Sequence, residues 1–327
     1  MAEAITYLEA IRQAHFEEMR RDPEVFVLGE DVGRYGGAFG VTQGLFDEFG
    51  PERVMDMPIA ESAQVGLAIG AALLGMRPIV EMQFADFISC AFDQIVNQAA
   101  TMIYRYGGNA RLPLVIRAPA GGGVHGGPFH SQTPEAWFFH VPGLKIVAPA
   151  TVYDAKGLLK AAIRDDSPVV YFEHKYLYRR LKAELPDGDL VVPLGQAQVV
   201  REGEDLTMVS YGAMVHQCLA AAEPLAADGV EAEIIDLRSL VPMDLDTVKR
   251  SFEKTGKALI VHEDSKQGGI GAEIAAVLAE ECFELLDGPI VRIGAPFTHV
   301  PFSPPMEKWY LPNATQIEQA ARELAAY

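Results

Sequence analysis

Hydrophobic residues fall along the chain in short continuous runs, separated by stretches whose apolar positions recur every three or four residues. The first-half runs are VFVLGE at 25–30, PIVEMQF at 78–84, LPLVIRAP at 112–119, LKIVAP at 144–149 and PVVYFE at 168–173. Each is apolar at nearly every position, as strands buried on both faces of a parallel sheet must be. Between them, ITYLEAIRQAHFEEMRR, the segment 61–75, FISCAFDQIVNQAATMIYRY and 152–164 carry helical periodicity, and Thr151 and Asp154 have the spacing of a helix cap. The pattern predicts a parallel sheet layered with helices.

Periodicity fades over 182–197, KAELPDGDLVVPLGQA, where proline, glycine and acid gather and a linker is expected. It restarts with LTMVSYG at 206–212, EAEIIDL at 231–237, KALIVHE at 257–263 and PIVRIG at 289–294. Helices are expected at roughly 213–228, 244–254, 271–286 and 313–326. The chain therefore reads as two parallel-sheet α/β domains, 1–185 and 201–327, joined by a linker at 186–200. No internal sequence repeat relates the halves; they share architecture only.

At 327 residues the chain exceeds one ordinary core and suits two. A formal charge of -18 repels phosphate backbones and anionic lipids, which excludes nucleic acid or a membrane surface as the main partner. It leaves two readings open, plain solubility or an acidic face that docks a basic partner. No apolar run is long enough to span a bilayer, and the first residues, with their glutamates, lack the features of a signal or transit peptide. Cys90, Cys218 and Cys282 are widely spaced and form neither a zinc motif nor a disulfide framework, so a reducing cytoplasm is expected.

Three segments carry candidate chemistry. In DMPIAESAQVGLAIGAALLG, 56–75, Glu61 stands at the mouth of a helix whose Gly66, Gly70, Ala71 and Ala72 predict a closely packed neighbour. Glu61 either complements the helix dipole or is a buried carboxyl that shares a proton with a ligand. In EMQFADF, 81–87, Phe84 and Phe87 leave a strand at its C-terminal end, where at least one ring faces either core or cleft. The loop GGGVHGGPFHSQTPEAW, 121–137, holds five glycines and two histidines before Thr133, a candidate N-cap followed by Pro134. Its His130 is either a locally bonded residue or a proton carrier at neutral pH. SKQGGIGAE at 265–273 lacks the spacing of a dinucleotide fingerprint, GEDVG at 29–33 is neither a P-loop nor a Rossmann turn, and GxSxG and HExxH do not occur.

From VFVLGEDVG through PIAESAQVGLAIG, QFADF, FDQIVNQAA, HSQTPEA, DAKGLLKAAI, EIIDLRSLVP and YLPNA, nearly the whole chain resembles the beta subunits of thiamine-diphosphate-dependent 2-oxo acid dehydrogenases of branched-chain or pyruvate type. The resemblance implies a transketolase-like pyrimidine-binding domain, a transketolase C-terminal-like domain, and an α2β2 heterotetramer with an alpha subunit. It implies that Glu61 hydrogen-bonds the cofactor's aminopyrimidine, that Phe87 packs against that ring, and that His130 assists acyl transfer to the lipoyl arm of an acyltransferase core. GGGVHGGPF departs from the family's pattern, which leaves the role of His125 open. It also implies a potassium site of carbonyl oxygens near Leu114, Ala162, Ile163, Asp165 and Ser167, where relatives often have asparagine in place of Ser167; the alternative is a plain turn.

In such enzymes thiamine diphosphate stabilises the carbanion left when carbon dioxide departs. Its diphosphate needs magnesium, held by a motif that begins GDG. The one near match here, PDGD at 186–189, sits in the expected linker, so the metal is expected on the alpha subunit. Within the family, PEAWFFH points toward branched-chain acids, whereas QGGIGAEIAA and PFSPP leave an acetoin-cleaving subunit open. The alternatives from other classes are a non-catalytic assembly subunit and a nicotinamide-dependent oxidoreductase, the second disfavoured by the missing fingerprint.

Overall fold

A computed structural model describes residues 4–327. The chain forms two compact units: the first runs to Ala120 and resumes over Trp137–Leu194, and the second combines Gly121–Ala136 with Gly195–Tyr327. The glycine-rich loop thus interrupts the first unit in sequence and belongs to the second.

The first unit is built on β1 (Val25–Gly29), β2 (Val54–Asp56), β3 (Arg77–Glu81), β4 (Val115–Ala120), β5 (Lys145–Val147) and β6 (Val169–His174). All pair in parallel, in the order β5-β6-β4-β3-β1-β2. Every residue of β1, β4 and β6 is buried, which explains their unbroken apolar runs. Helix α1 (Tyr7–Arg21) opens on a reciprocal Thr6–Glu9 capping box, and α2 spans Glu61–Leu73. Helix α3 (Val152–Arg164) opens with the Thr151 hydroxyl accepting from the Asp154 backbone N–H at 3.0 Å, and it packs along α1.

An arginine sits in the middle of this sheet. Arg117 on β4 is fully buried between Glu81 of β3 and Glu173 of β6. Its Nη1 donates to Glu81 at 2.5 Å, while Nη2 and Nε both bond the Glu173 carboxylate, which also accepts from the Tyr178 hydroxyl at 2.8 Å. Burial pushes the Glu173 carboxyl up, Arg117 draws it back, and Glu81 opposes that. Nearby His15, wholly buried and beside Arg117, is pushed down to about 3 chiefly by burial and so stays neutral.

The second unit carries β7 (Gln198–Arg201), β8 (Leu206–Ser210), β9 (Ala232–Asp236), β10 (Ala258–Ser265) and β11 (Val291–Ala295), in the order β11-β10-β8-β9-β7. The central pairs are parallel, and β7 is an antiparallel edge. Helices α4 (Ala213–Ala227), α5 (Leu245–Thr255), α6 (Gly271–Glu281), α7 (Pro304–Tyr310) and α8 (Ala314–Ala325) accompany it.

Several elements depart from the expectation. Strand β7 begins inside the stretch expected as linker, because an edge strand needs only one buried side and leaves little apolar signal. The expected long helix after Phe84 divides into tight 3₁₀ turns over Ala85–Ala91, wide π turns over Gln94–Ala99 and one α-helical stretch at Ala100–Arg105. Ile88, Ala91, Ile95, Ala99 and Met102 stay buried throughout, so the apolar periodicity survives while the backbone winding changes. Helix α7 was not anticipated, although Ser303 before two prolines is a helix-start signal.

Replacing Arg117 by Met should destabilise the first unit by roughly 3–5 kcal/mol, because two buried carboxylates lose their partner. Chemical denaturation of the variant measures this; a loss under about 1 kcal/mol would show that the carboxylates find other donors or water.

Candidate active site

Glu61 is the first residue of α2, next to an N-cap, Ala60, that makes no side-chain capping bond. It is half-buried and borders a cleft of about 560 Å³ with Ser62, Gly66, Cys90 and Gln94. Gly66 gives Gln94 its room: a Cβ there would stand 3.4 Å from the Gln94 amide oxygen. The close packing expected along α2 holds at Ala72, which is buried, but not at Gly70, where a Cβ would meet nothing within 4 Å among the described residues. Leu67 and Leu73 on this helix, and Leu74 at its C-cap, are exposed.

Phe87 lies in the tight turn after β3, a turn that packs against α2. It does not line the Glu61 cleft; its half-buried ring stands edge-on to Phe84 with centroids 5.9 Å apart. Phe84 in turn meets Phe39 edge-on at 5.2 Å and lies under the Lys175 ammonium at 5.7 Å. Lys175 also donates to the Pro119 carbonyl at 2.9 Å, which ties the aromatic group to the end of β4.

Sequence reasoning missed Glu30, one residue past the C-terminal end of β1. It is 7% exposed and accepts from the Gln64 amide of α2 at 3.2 Å. Burial raises its pKa, the Gln64 bond opposes this, and the charges of Glu61 and Asp31 raise it further. The signal was present in GEDVG, an acid at the end of the first strand, where ligands of parallel sheets bind. Buried Gln64 leaves its Oε1 with no hydrogen-bond partner among the described residues. Two nearby carboxyls, one of which holds a proton more readily than usual, and an orphaned amide oxygen suit a nitrogenous ring that donates hydrogen bonds and shares a proton.

His130 belongs to the second unit and is half-buried. Its loop closes on itself: Gly121 N–H donates to the Gln132 carbonyl at 3.0 Å, Gly126 N–H to the Ser131 hydroxyl at 3.2 Å, and the Gln132 amide to the Pro128 carbonyl at 2.6 Å. The helix after it is counted from Glu135, one residue beyond Pro134.

At the carbonyl cluster named for potassium, the Arg77 guanidinium donates to the carbonyls of Ile163 and Asp165 at 2.8 and 2.7 Å. The Leu114 carbonyl accepts from Val169 N–H at 2.8 Å, that of Ala162 from Asp165 N–H at 3.3 Å, and Ser167 N–H donates to the Asp165 carboxylate at 2.8 Å. A positive charge, that of Arg77, is therefore already seated on this turn.

Comparison with known proteins agrees with this fold. Residues 3–180 match the family "Transketolase, pyrimidine binding domain" and residues 195–317 match "Transketolase, C-terminal domain". The solved "Split gene transketolase, inactive beta4 tetramer" superposes with a TM-score of 0.80 at 27% identity, covering 98% of each chain. The chain is 53% identical to the 2-oxoisovalerate dehydrogenase subunit beta of Bacillus subtilis, covering 99% of both. It is 48% identical to the acetoin:2,6-dichlorophenolindophenol oxidoreductase subunit beta of Cupriavidus necator, covering 99% of this chain and 98% of that one. It is 45% identical to the pyruvate dehydrogenase E1 component subunit beta of Bacillus subtilis, again over 99% of both. The fold is thus that of the thiamine-dependent transketolase class. Within that class, the chain belongs to the family of 2-oxo acid dehydrogenase (E1) beta subunits.

Carbon-13 NMR titration should place Glu30 above the range of a free glutamate, and Glu61→Gln should lower it part of the way, since the like charge goes while burial stays. A Glu30 titration that ignores this substitution would show that the two carboxyls are not coupled.

Proposed function

We propose that this chain supplies the pyrimidine side of an active site that decarboxylates a 2-oxo acid and transfers the acyl group to a lipoyl arm. The carrying observation is Glu61 at the start of α2, close enough to buried Glu30 to raise its pKa and one turn from the orphaned Gln64 oxygen. Thiamine diphosphate, the cofactor of the family, supplies a carbon nucleophile and an electron sink. Toward it, Glu61 would hold and exchange a proton at the ring nitrogen, Glu30 would keep that proton from being lost to water, and Phe87, outside the cleft that Glu61 borders but on the turn packed against α2, would reach the ring from that turn. His130 would carry the proton needed as the acyl group moves to sulfur.

The second half of the site falls to an alpha subunit in an α2β2 heterotetramer. Two features support this: no GDG motif is present for magnesium, and α2 exposes Leu67 beside Gly70, where a Cβ would meet nothing within 4 Å among the described residues. An acyltransferase core would then receive the acyl group. Potassium enters only at 162–167, where an ion would share the oxygens with Arg77; exchange of KCl for NaCl should then lower the melting temperature, and an unchanged value assigns that turn to Arg77 alone.

The substrate is a branched-chain 2-oxo acid or pyruvate. The 48% identical acetoin relative supports acetoin cleavage as the second reading, because that reaction asks for the same proton handling. We place the protein in a reducing cytoplasm, since Cys90, Cys218 and Cys282 are all free thiols. Among the described residues no helix is long and apolar enough to cross a membrane.

The purified chain should bind thiamine diphosphate weakly and decarboxylate nothing until a matching alpha subunit is added; full activity alone would overturn the shared site. In the assembled enzyme, Glu61→Gln keeps shape and hydrogen bonding but cannot exchange a carboxyl proton. Turnover should fall by about 10²- to 10⁴-fold, while cofactor affinity changes much less. Proton–deuterium exchange at the thiazolium carbon of the bound cofactor should slow in parallel. Wild-type exchange in the variant would make Glu61 a helix-end carboxylate and nothing more.

A further inference from the structure

The loop that carries His130 contains a backbone outlier. His125 adopts φ +61°, a left-handed conformation that residues other than glycine rarely hold without compensation. The compensation comes from Glu307 on α7, a buried carboxylate of the same unit. Its Oε1 accepts the Gly123 N–H at 3.0 Å and the His125 N–H at 3.2 Å, and its Oε2 bonds the His125 ring at Nδ1, 2.6 Å away. Glu263, at the end of β10, accepts the Gly122 N–H at 2.6 Å. Two buried carboxylates thus grip four donors on one short turn.

The grip reaches His130 through direct contact. A Cβ on Gly126 would stand 2.7 Å from the His130 Cβ and 2.9 Å from the Ser131 hydroxyl, so the backbone that follows His125 lies flush against His130. A side chain at Gly127, φ +62°, would enter the ring of Phe302, the residue preceding the N-cap of α7. The turn is therefore fixed to α7 on both sides of His125. The side chain of His125 itself remains largely exposed, which suits a residue that shapes the loop and does not fill a core.

We infer that Glu307 is a positioning residue: by clamping the left-handed turn at His125 it sets the placement of His130 for acyl transfer. The inference rests on the reading of His130 given above and adds a residue and a mechanism to it. Glu307 touches no reacting atom and acts through His125 and Gly126.

The test uses the assembled enzyme with two activity assays, acyl transfer to a lipoyl domain and decarboxylation with an artificial electron acceptor, together with hydrogen–deuterium exchange of the loop amides. Glu307→Ala should speed amide exchange over 122–130 and slow acyl transfer about 10-fold or more, with decarboxylation falling less than about threefold. Glu307→Gln, whose amide can still accept from both N–H groups, should recover most of the transfer. His125→Gly, which fits φ +61° and keeps both backbone donors, guards against a folding failure of the alanine variant and should give a smaller loss of the same kind. Glu307→Ala combined with His130→Ala should be no slower in transfer than His130→Ala alone, as groups acting in series are not additive.

Unchanged loop exchange in Glu307→Ala, or multiplicative losses in the double variant, would overturn the inference. If His130→Ala alone transfers acyl groups at the wild-type rate, the reading of His130 falls instead, and faster loop exchange in Glu307→Ala would still establish the clamp.

Discussion

The Arg117 guanidinium, closed off from water between two carboxylates, is the constraint on which the first unit depends. An ionised group so placed is tolerated only with its hydrogen bonds complete, so the three strands that bear the partners must stay in one register. Arg117 stands directly opposite Glu81, and Glu173 lies opposite Pro119 two positions further along β4. A one-residue slip would turn the guanidinium to the other face of the sheet. Glu81 is also the register partner of Gly29, which immediately precedes Glu30. The ends from which Glu30, the Phe84–Phe87 turn and Lys175 emerge are thus held by a common register.

The candidate chemistry divides along the two units. The first places two carboxyls, Glu30 and Glu61, on stiff elements, a strand end and a helix start, where burial and neighbouring charge raise the pKa of Glu30. The second provides a loop, and a loop becomes precise only when its backbone donors are tied down. Glycine permits the sharp path of 121–127, and buried carboxylates remove the freedom that glycine would otherwise bring. Both units use acids, but in the first Glu61 borders a cleft and in the second Glu263 and Glu307 hold a backbone still.

The parts of this arrangement that follow from local pattern were legible in the sequence. Nine apolar runs became the nine strands expected of them to within a few residues, and Thr151 caps its helix as its spacing to Asp154 implied. Glu61 was legible as a helix-mouth acid with a functional alternative. What escaped had no local signature. Glu30 gains its role from Gln64 and Glu61, about thirty residues away, and a pattern read in short windows cannot register such a meeting. Glu307 sits in a seven-residue helix too short for periodicity, and its partners lie more than 180 positions upstream. The winding change after Phe84 was hidden because burial keeps one periodicity through 3₁₀, π and α turns alike.

The assignment of 121–136 to the second unit has a consequence for how the protein can be taken apart. A single cleavage between 186 and 200 separates two stretches of sequence but not two self-sufficient bodies, because the C-terminal piece leaves its loop behind on the other fragment. Glu263 and Glu307 would then lose the loop N–H groups that they accept, and the face that the loop covered would open to water. The second unit is complete only as a discontinuous one, so its autonomy was surrendered when the loop was threaded out of the first sheet.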